Sequence, residues 1–125
     1  MNTVINTEKA PAAIGPYSQA IQAGNLIITS GQLPVDVATG AFPEGIEAQT
    51  KQSLTNCKVI LEKAGASMAD VIKTTVFLSD MNNFAAMNGV YATFFEGAFP
   101  ARSAVQVARL PKDALVEIEC IAVVK

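Results

Sequence analysis

The chain is 125 residues long, is 50% hydrophobic and 16% charged, has a net charge of −2 and contains no histidine. The missing histidine excludes Ser-His-Asp and Cys-His catalysis and His-bearing zinc sites, and the acidic balance argues against nucleic-acid binding and a basic membrane-binding patch. The length fits a single domain, residues 1–125, and the low charged fraction predicts that further copies of the chain cover a good part of its surface.

The pattern of the chain predicts two helices and six strands in the order β-β-β-α-β-α-β-β. The predicted elements are strands over 2–6, 17–21 and 26–30, a helix over 43–64, a strand over 70–78, a helix over 80–96, and strands over 100–110 and 115–124. Gly24-Asn25 is a hairpin dipeptide, Gly65 is a natural helix stop and Asp80 is a good helix N-cap. This order predicts an α+β domain with both helices on one face of the sheet.

The last two strands contain the candidate site. Side chains alternate between the two faces of a strand, so Arg102, Ala104 and Gln106 share one face. In the following strand Glu117 begins a face that turns apolar further along, although Glu is almost never buried without a partner. We expect both rows on the sheet face that the helices leave uncovered, in contact with another subunit. Arg102 would then hold an anion and Glu117 would handle a proton; the alternative is a structural Arg102–Glu117 pair at the strand ends.

Three further positions are candidates for the same pocket. Gly31 follows a predicted strand directly, where backbone often approaches a ligand closely. Asn88 is the polar member of an apolar helix stripe, and it either supports the pocket from behind or caps a nearby loop. Tyr17 follows Gly-Pro, and it either lies over a ligand or is an interface aromatic with a solvated hydroxyl.

The sequence offers little that could hold a metal or a cofactor. Cys57 and Cys120 fall in a predicted helix and a predicted strand, and we interpret them as reduced core thiols of a cytosolic protein. Two cysteines cannot make a Cys₄ zinc site, and no glycine-rich nucleotide-binding motif occurs. The first residues lack a signal-peptide pattern, and no apolar run approaches the ~20 residues of a membrane span. We therefore expect cofactor-independent catalysis in the cytoplasm.

Several motifs run through nearly the whole chain in one register. They are Ile14-Gly15-Pro16-Tyr17-Ser18-Gln19-Ala20, Thr29-Ser30-Gly31-Gln32, the strand over 71–78, Asn88-x-x-Tyr91-x-x-Phe94-Phe95, and Pro100-Ala101-Arg102-Ser103 with Val116-Glu117-Ile118. Together they resemble the RidA family of reactive-intermediate (enamine/imine) deaminases. The resemblance implies a chorismate-mutase-like fold, with a six-stranded mixed sheet, and a homotrimer whose sheets face inward around three intersubunit clefts. It also implies hydrolysis of 2-iminobutanoate, 2-iminopropanoate and enamines such as 2-aminoacrylate to 2-oxo acids and ammonia.

The resemblance also implies roles for individual residues. Arg102 matches the carboxylate-binding arginine and Glu117 the acidic residue near the attacking water, and with Tyr17 they form the implied catalytic set. The implied substrate-binding positions are Arg102, Ser30, Gly31, Asn88 and Ala104. Many members of the family have cysteine where this chain has Ala104, which argues against thiol chemistry at the site.

Two other functions stay open at this point. A non-catalytic trimer that binds 2-oxo acids or other carboxylates for regulation would use the same residues, because binding a carboxylate is not itself chemistry. An endoribonuclease activity, as reported for relatives, is disfavoured by the acidic balance of the chain.

Overall fold

The computed structural model describes residues 2–125, and within this range it has six strands and two α-helices. They are β1 (Asn2–Ile5), β2 (Ala20–Ala23), β3 (Leu26–Thr29), α1 (Ile46–Lys63), β4 (Val71–Leu78), α2 (Phe84–Ala92), β5 (Ala101–Gln106) and β6 (Val116–Val123). Short 3₁₀ turns precede β4, α2 and β6. The α+β class and the order of the elements are confirmed.

These six strands form one mixed sheet in the order β1-β2-β3-β6-β4-β5. The neighbours are antiparallel except β4 and β5, which run parallel because α2 crosses over between them. Gly24 and Asn25 form the two-residue hairpin between β2 and β3, and the φ of Gly24 is 60°, in the left-handed region that such a turn requires.

The hydrophobic core lies between the two helices and one face of the sheet. Leu54 and Leu61 of α1 are fully buried, as are Val116 and Ile118 of β6. Burying one aliphatic side chain of this size contributes about 1.5–3 kcal/mol. Along β6 buried residues alternate strictly with half-buried ones, so one face of this central strand meets the helices and the other remains uncovered.

Some predicted boundaries are wrong, each for a local reason. Residues 17–19 lie outside β2, which begins at Ala20, and here the side chain of Gln19 is bonded to the preceding loop. The first helix begins at Ile46, after Gly45 with its φ of 88°. The second helix ends at Ala92 rather than near residue 96, and the hydroxyl of Thr93 there donates to the carbonyl of Val90.

The strand register corrects the predicted placement of the two candidate rows. Thr74 of β4 lies opposite both Arg102 and Cys120, and residues opposite each other share a face, so Arg102 lies on the face covered by the helices. Phe77 lies opposite Glu117 on the uncovered face. Arg102 and Glu117 are therefore on opposite faces of the sheet. The polar row predicted a pocket on the uncovered face, against another subunit, but β5 is the edge strand, where α2 leaves Arg102 only partly covered.

Candidate functional site

The first candidate cavity surrounds Glu117 at the start of β6. It has a volume of about 520 Å³, and its lining includes Tyr17, Ser30, Gly31 and Glu117. The hydroxyl of Ser30 donates to the carbonyl of Ser18 at 2.6 Å, which joins the end of β3 to the loop that carries Tyr17. Four of the predicted site residues therefore lie together.

The loop before β2 is held in place by Gln19, which is not among the predicted site residues. Its side chain is only 2% exposed. Its amide oxygen accepts from the backbone N–H of Thr7 at 2.7 Å, and its amide nitrogen donates to the carbonyls of Thr7 at 3.0 Å and Pro11 at 2.8 Å. Buried amides are retained where they satisfy backbone groups of this kind. The only signal in the sequence is a glutamine three residues after the last proline of the loop.

Gly31 lies against the carboxyl group of Glu117. A Cβ atom at position 31 would be 2.7 Å from Oε2 of Glu117 and 2.9 Å from its Cδ, so any side chain there would displace the carboxyl group. Burial raises the pKa of Glu117, and the negative charge of Glu119 on the same face raises it further. A carboxyl group with a raised pKa exchanges a proton more readily near neutral pH, as general acid–base catalysis requires.

The second candidate cavity lies between α2 and β5. It has a volume of about 450 Å³ and is lined by Asn88, Tyr91, Ala92, Phe99, Pro100 and Arg102. Nη1 of Arg102 donates to Oδ1 of Asn88 at 2.7 Å, so Asn88 supports the guanidinium group.

The charge of Arg102 is not neutralised within residues 2–125. The ion pair in this part of the chain joins Arg109 and Asp113, which are both exposed, whereas Arg102 has no carboxylate within salt-bridge distance. A structural pair between Arg102 and Glu117 is therefore excluded within one copy. An arginine whose charge is unpaired can bind an anionic ligand through two parallel hydrogen bonds.

One copy of the chain thus presents two separate half-sites. The first cavity is lined by four of the predicted residues, Tyr17, Ser30, Gly31 and Glu117, and the second by Asn88 and Arg102. Ala104 is half-buried and lies two residues beyond Arg102 on the same face of β5. The first half-site can exchange a proton and the second can bind a carboxylate. Within residues 2–125 no three acidic or thiol side chains lie close enough together to hold a metal ion.

Known proteins resemble this chain over nearly its whole length. Residues 7–124 match the family model described as endoribonuclease L-PSP. A RutC family protein of Haemophilus influenzae is 60% identical over 129 aligned residues, which cover 100% of this chain and 99% of the relative. A protein of Salmonella typhimurium named 2-iminobutanoate/2-iminopropanoate deaminase is 56% identical over 98% of each chain.

Solved structures show the same fold. The structure of the YjgF gene product from E. coli superposes with a TM-score of 0.96 at 55% identity and covers 98% of this chain and 99% of its own. The structure of E. coli TdcF with bound serine gives a TM-score of 0.95 at 49% identity, again over 98% of this chain and 99% of its own. In residues 2–125 no helix is both long and apolar enough to cross a membrane.

Proposed function

The chain belongs to the endoribonuclease L-PSP family, to which the RutC and YjgF/RidA proteins belong, and we propose that it is a 2-iminobutanoate/2-iminopropanoate deaminase. It hydrolyses the C=N bond of 2-imino acids and their enamine tautomers, such as 2-aminoacrylate, to 2-oxo acids and ammonia. The observation that carries the proposal is the unpaired guanidinium of Arg102, in a chain 56% identical to a named deaminase.

Arg102 binds the carboxylate of the substrate. One N–H of its guanidinium is occupied by Asn88, and the remaining N–H groups can meet a planar carboxylate through two parallel hydrogen bonds. This contact fixes the position of the neighbouring C=N carbon. Imines hydrolyse readily in water, so orientation together with one proton relay is enough to account for catalysis.

Glu117 transfers the protons of the reaction. It accepts a proton from the water that adds to the C=N carbon and passes it to the imine nitrogen, so that a carbinolamine forms. It then accepts the proton of the carbinolamine hydroxyl and passes it to the departing nitrogen, and the products are a 2-oxo acid and ammonia. Tyr17, Ser30 and the backbone of Gly31 line the cavity in which this water lies.

A complete site requires a second copy of the chain, because Arg102 and Glu117 lie on opposite faces of the sheet. We propose a homotrimer with the sheets facing inward, in which Arg102 of one copy lies beside Glu117 of the next. The uncovered face supports this assembly, since Ile28 is 48% exposed and Val105 is 43% exposed on it. Exposed apolar side chains grouped on one sheet face are typical of an interface. The number of copies, three, is inferred from the resemblance to the RidA family.

Chemical arguments also support the proposed substrate and location and bear on the alternative endoribonuclease activity. Serine, the molecule bound in the TdcF structure, has a carboxylate on a three-carbon frame, like 2-iminopropanoate. A cytoplasmic location is supported by the free buried thiols of Cys57 and Cys120. The family description names an endoribonuclease, but a net charge of −2 does not favour binding to a polyphosphate chain.

The test is an assay with an imine made in solution. An amino-acid oxidase generates 2-iminobutanoate from 2-aminobutanoate, semicarbazide traps the imine that survives, and the chain is expected to reduce the trapped amount. Sedimentation is expected to give about three times the chain mass of 13.1 kDa. If 2-oxobutanoate binds but the imine survives unchanged, the chain is a carboxylate-binding protein. A stable monomer would overturn the intersubunit site.

A further inference from the structure

Three residues of α2 form a stripe that faces Arg102. Phe84, Asn88 and Tyr91 follow each other at spacings of four and three, which places them on one side of the helix. Cζ of Arg102 lies 4.8 Å from the centroid of the Tyr91 ring and 5.4 Å from that of Phe84. The guanidinium therefore contacts two aromatic faces and one amide oxygen.

This environment holds a cation without neutralising it. Aromatic faces attract a guanidinium through their quadrupole, and the amide of Asn88 fixes its rotation, but neither group carries a negative charge. A carboxylate at the same place would hold Arg102 equally well and would compete with the carboxylate of a ligand. The combination of two rings and an amide is the arrangement expected for an arginine that must be both immobile and free to bind an anion.

The ring of Tyr91 is itself fixed by β4. Its hydroxyl lies 2.6 Å from Oγ1 of Thr74, which is 1% exposed. Thr74 is also the residue directly opposite Arg102 in the parallel β4–β5 pair. Thr74 therefore lies beside the backbone of Arg102 and also fixes the orientation of the Tyr91 ring over the side chain of Arg102.

We propose that Phe84, Tyr91 and Thr74 are positioning residues, which hold the guanidinium of Arg102 in its carboxylate-binding orientation before the ligand arrives. This inference deepens the proposed function and rests on it for the identity of the ligand. The placement of the guanidinium can be tested without any reaction.

The first experiment measures the guanidinium of Arg102 by NMR. The chain has two arginines, and the Nε–H of Arg109 donates to a carboxylate oxygen of Asp113, which itself moves that proton downfield, so the signal of Arg102 is compared between variants. In the wild type the Nε–H proton of Arg102 is expected upfield, because it lies near two ring faces. Phe84→Leu and Tyr91→Leu should each move it downfield. Tyr91→Phe keeps the ring and loses only the bond to Thr74, so it should leave a smaller upfield shift and faster rotation about Nε–Cζ.

The second experiment asks whether the rings bind a guanidinium that is not tethered. In Arg102→Ala, added methylguanidinium is expected to enter the vacated place and restore binding of 2-oxobutanoate and turnover of the imine. The double variant Arg102→Ala/Tyr91→Leu should not be rescued. In the single variants Phe84→Leu and Tyr91→Leu, binding of 2-oxobutanoate should weaken about 3- to 30-fold, the range of a cation–π contact, while kcat changes less.

These outcomes separate the inference from the proposed function. A wild type that fails to hydrolyse imines would contradict the deaminase, but the NMR shifts and the rescue of 2-oxobutanoate binding would still support the positioning role. An Nε–H shift of Arg102 that is the same in the wild type and in the ring variants, or equal rescue with and without Tyr91, would overturn it. A fall in melting temperature without weaker binding of 2-oxobutanoate would likewise show that the rings only stabilise the fold.

Discussion

Replacing Gly31 with alanine tests the placement of Glu117 with a single methyl group. The φ of Gly31 is not in the left-handed range that disfavours a side chain, so this angle does not oppose alanine. The whole effect should therefore come from the new contact with Glu117. The Cβ atom would lie 2.7 Å from Oε2, whereas ordinary contacts begin at 3.4 Å, so the carboxyl group must move by about 0.7 Å.

A displacement of this size should reduce activity far more than stability. A misplacement of about 1 Å can slow a reaction about 10²-fold, so we expect kcat/KM to fall about 10- to 100-fold. The group that moves is the end of a flexible side chain, so unfolding should change by less than ~1 kcal/mol, which corresponds to no more than about 5 °C in the melting temperature. The loss of activity would then come from the displaced carboxyl group and not from a destabilised fold.

The assay is the hydrolysis of 2-iminobutanoate made in solution, with Gly89→Ala as the matched control. Gly89 lies exposed on α2, and a Cβ atom there meets nothing within 4 Å. Alanine at this position should stabilise the helix by up to ~1 kcal/mol and leave activity unchanged. In a Glu117→Gln background, Gly31→Ala should cause little further loss. Wild-type activity in Gly31→Ala would contradict the proton-transfer role of Glu117, because the carboxyl group would then have no role at its present position.

Substitutions at four positions, Arg102, Glu117, Glu119 and Gln19, have definite expected outcomes. Arg102→Ala should lower kcat/KM about 10²- to 10³-fold in a folded assembly, because breaking a buried charge contact costs about 3–5 kcal/mol. Arg102→Lys should also be impaired, because lysine lacks the paired N–H groups of the guanidinium. Normal activity in a folded Arg102→Ala assembly would remove this residue from the site. Glu117→Gln should abolish most turnover while 2-oxobutanoate still binds. Because the pKa of Glu117 is raised in the folded chain, the folded state binds that proton more tightly than the unfolded state, and stability falls as pH rises through 4.5 and above. Thermal denaturation should therefore show Glu117→Gln as more stable than the wild type at neutral pH and equal to it below about pH 4. Glu119→Gln removes a charge that raises the pKa of Glu117, so the acid limb of the pH–rate profile should move to lower pH. A shift of this limb to higher pH would contradict the role of Glu117 as the proton acceptor. Gln19→Leu leaves backbone groups of Thr7 and Pro11 without partners and should reduce stability by about 2–4 kcal/mol, with early proteolysis in the loop before β2 as the sign that this loop has loosened.

The fold could be predicted because local patterns and long-range packing agree in this chain. Alternation in β6 and helical spacing around Leu54 and Leu61 both point to the side that is buried in the core. The hairpin at Gly24-Asn25 needs only local turn chemistry. The predicted end of α2 was wrong because Phe94 and Phe95 continue the apolar pattern beyond Ala92, although they pack against the core from outside the helix.

The candidate site was only partly predictable, since its arrangement depends on which face each strand turns toward the helices. The residues Tyr17, Ser30, Gly31 and Glu117 were predicted and lie together. The side taken by Arg102 could not be inferred from β5 alone, because a row of arginine, alanine and glutamine suits either face of an edge strand. The contribution of Gln19 was missed because its partners are backbone groups up to 12 residues away, and backbone groups leave no pattern in a sequence.

In the proposed site Arg102 of one copy and Glu117 of another hydrolyse the imine together, and mixing two inactive variants is the sharpest test of this arrangement. Arg102→Ala and Glu117→Gln are unfolded together in equal amounts and refolded, and native mass spectrometry verifies that mixed assemblies form. Each chain still has the residue that the other lacks, so about a quarter of the sites should regain both groups and a similar fraction of wild-type activity should return. Mixed assemblies that stay inactive would show that the two residues do not meet across an interface.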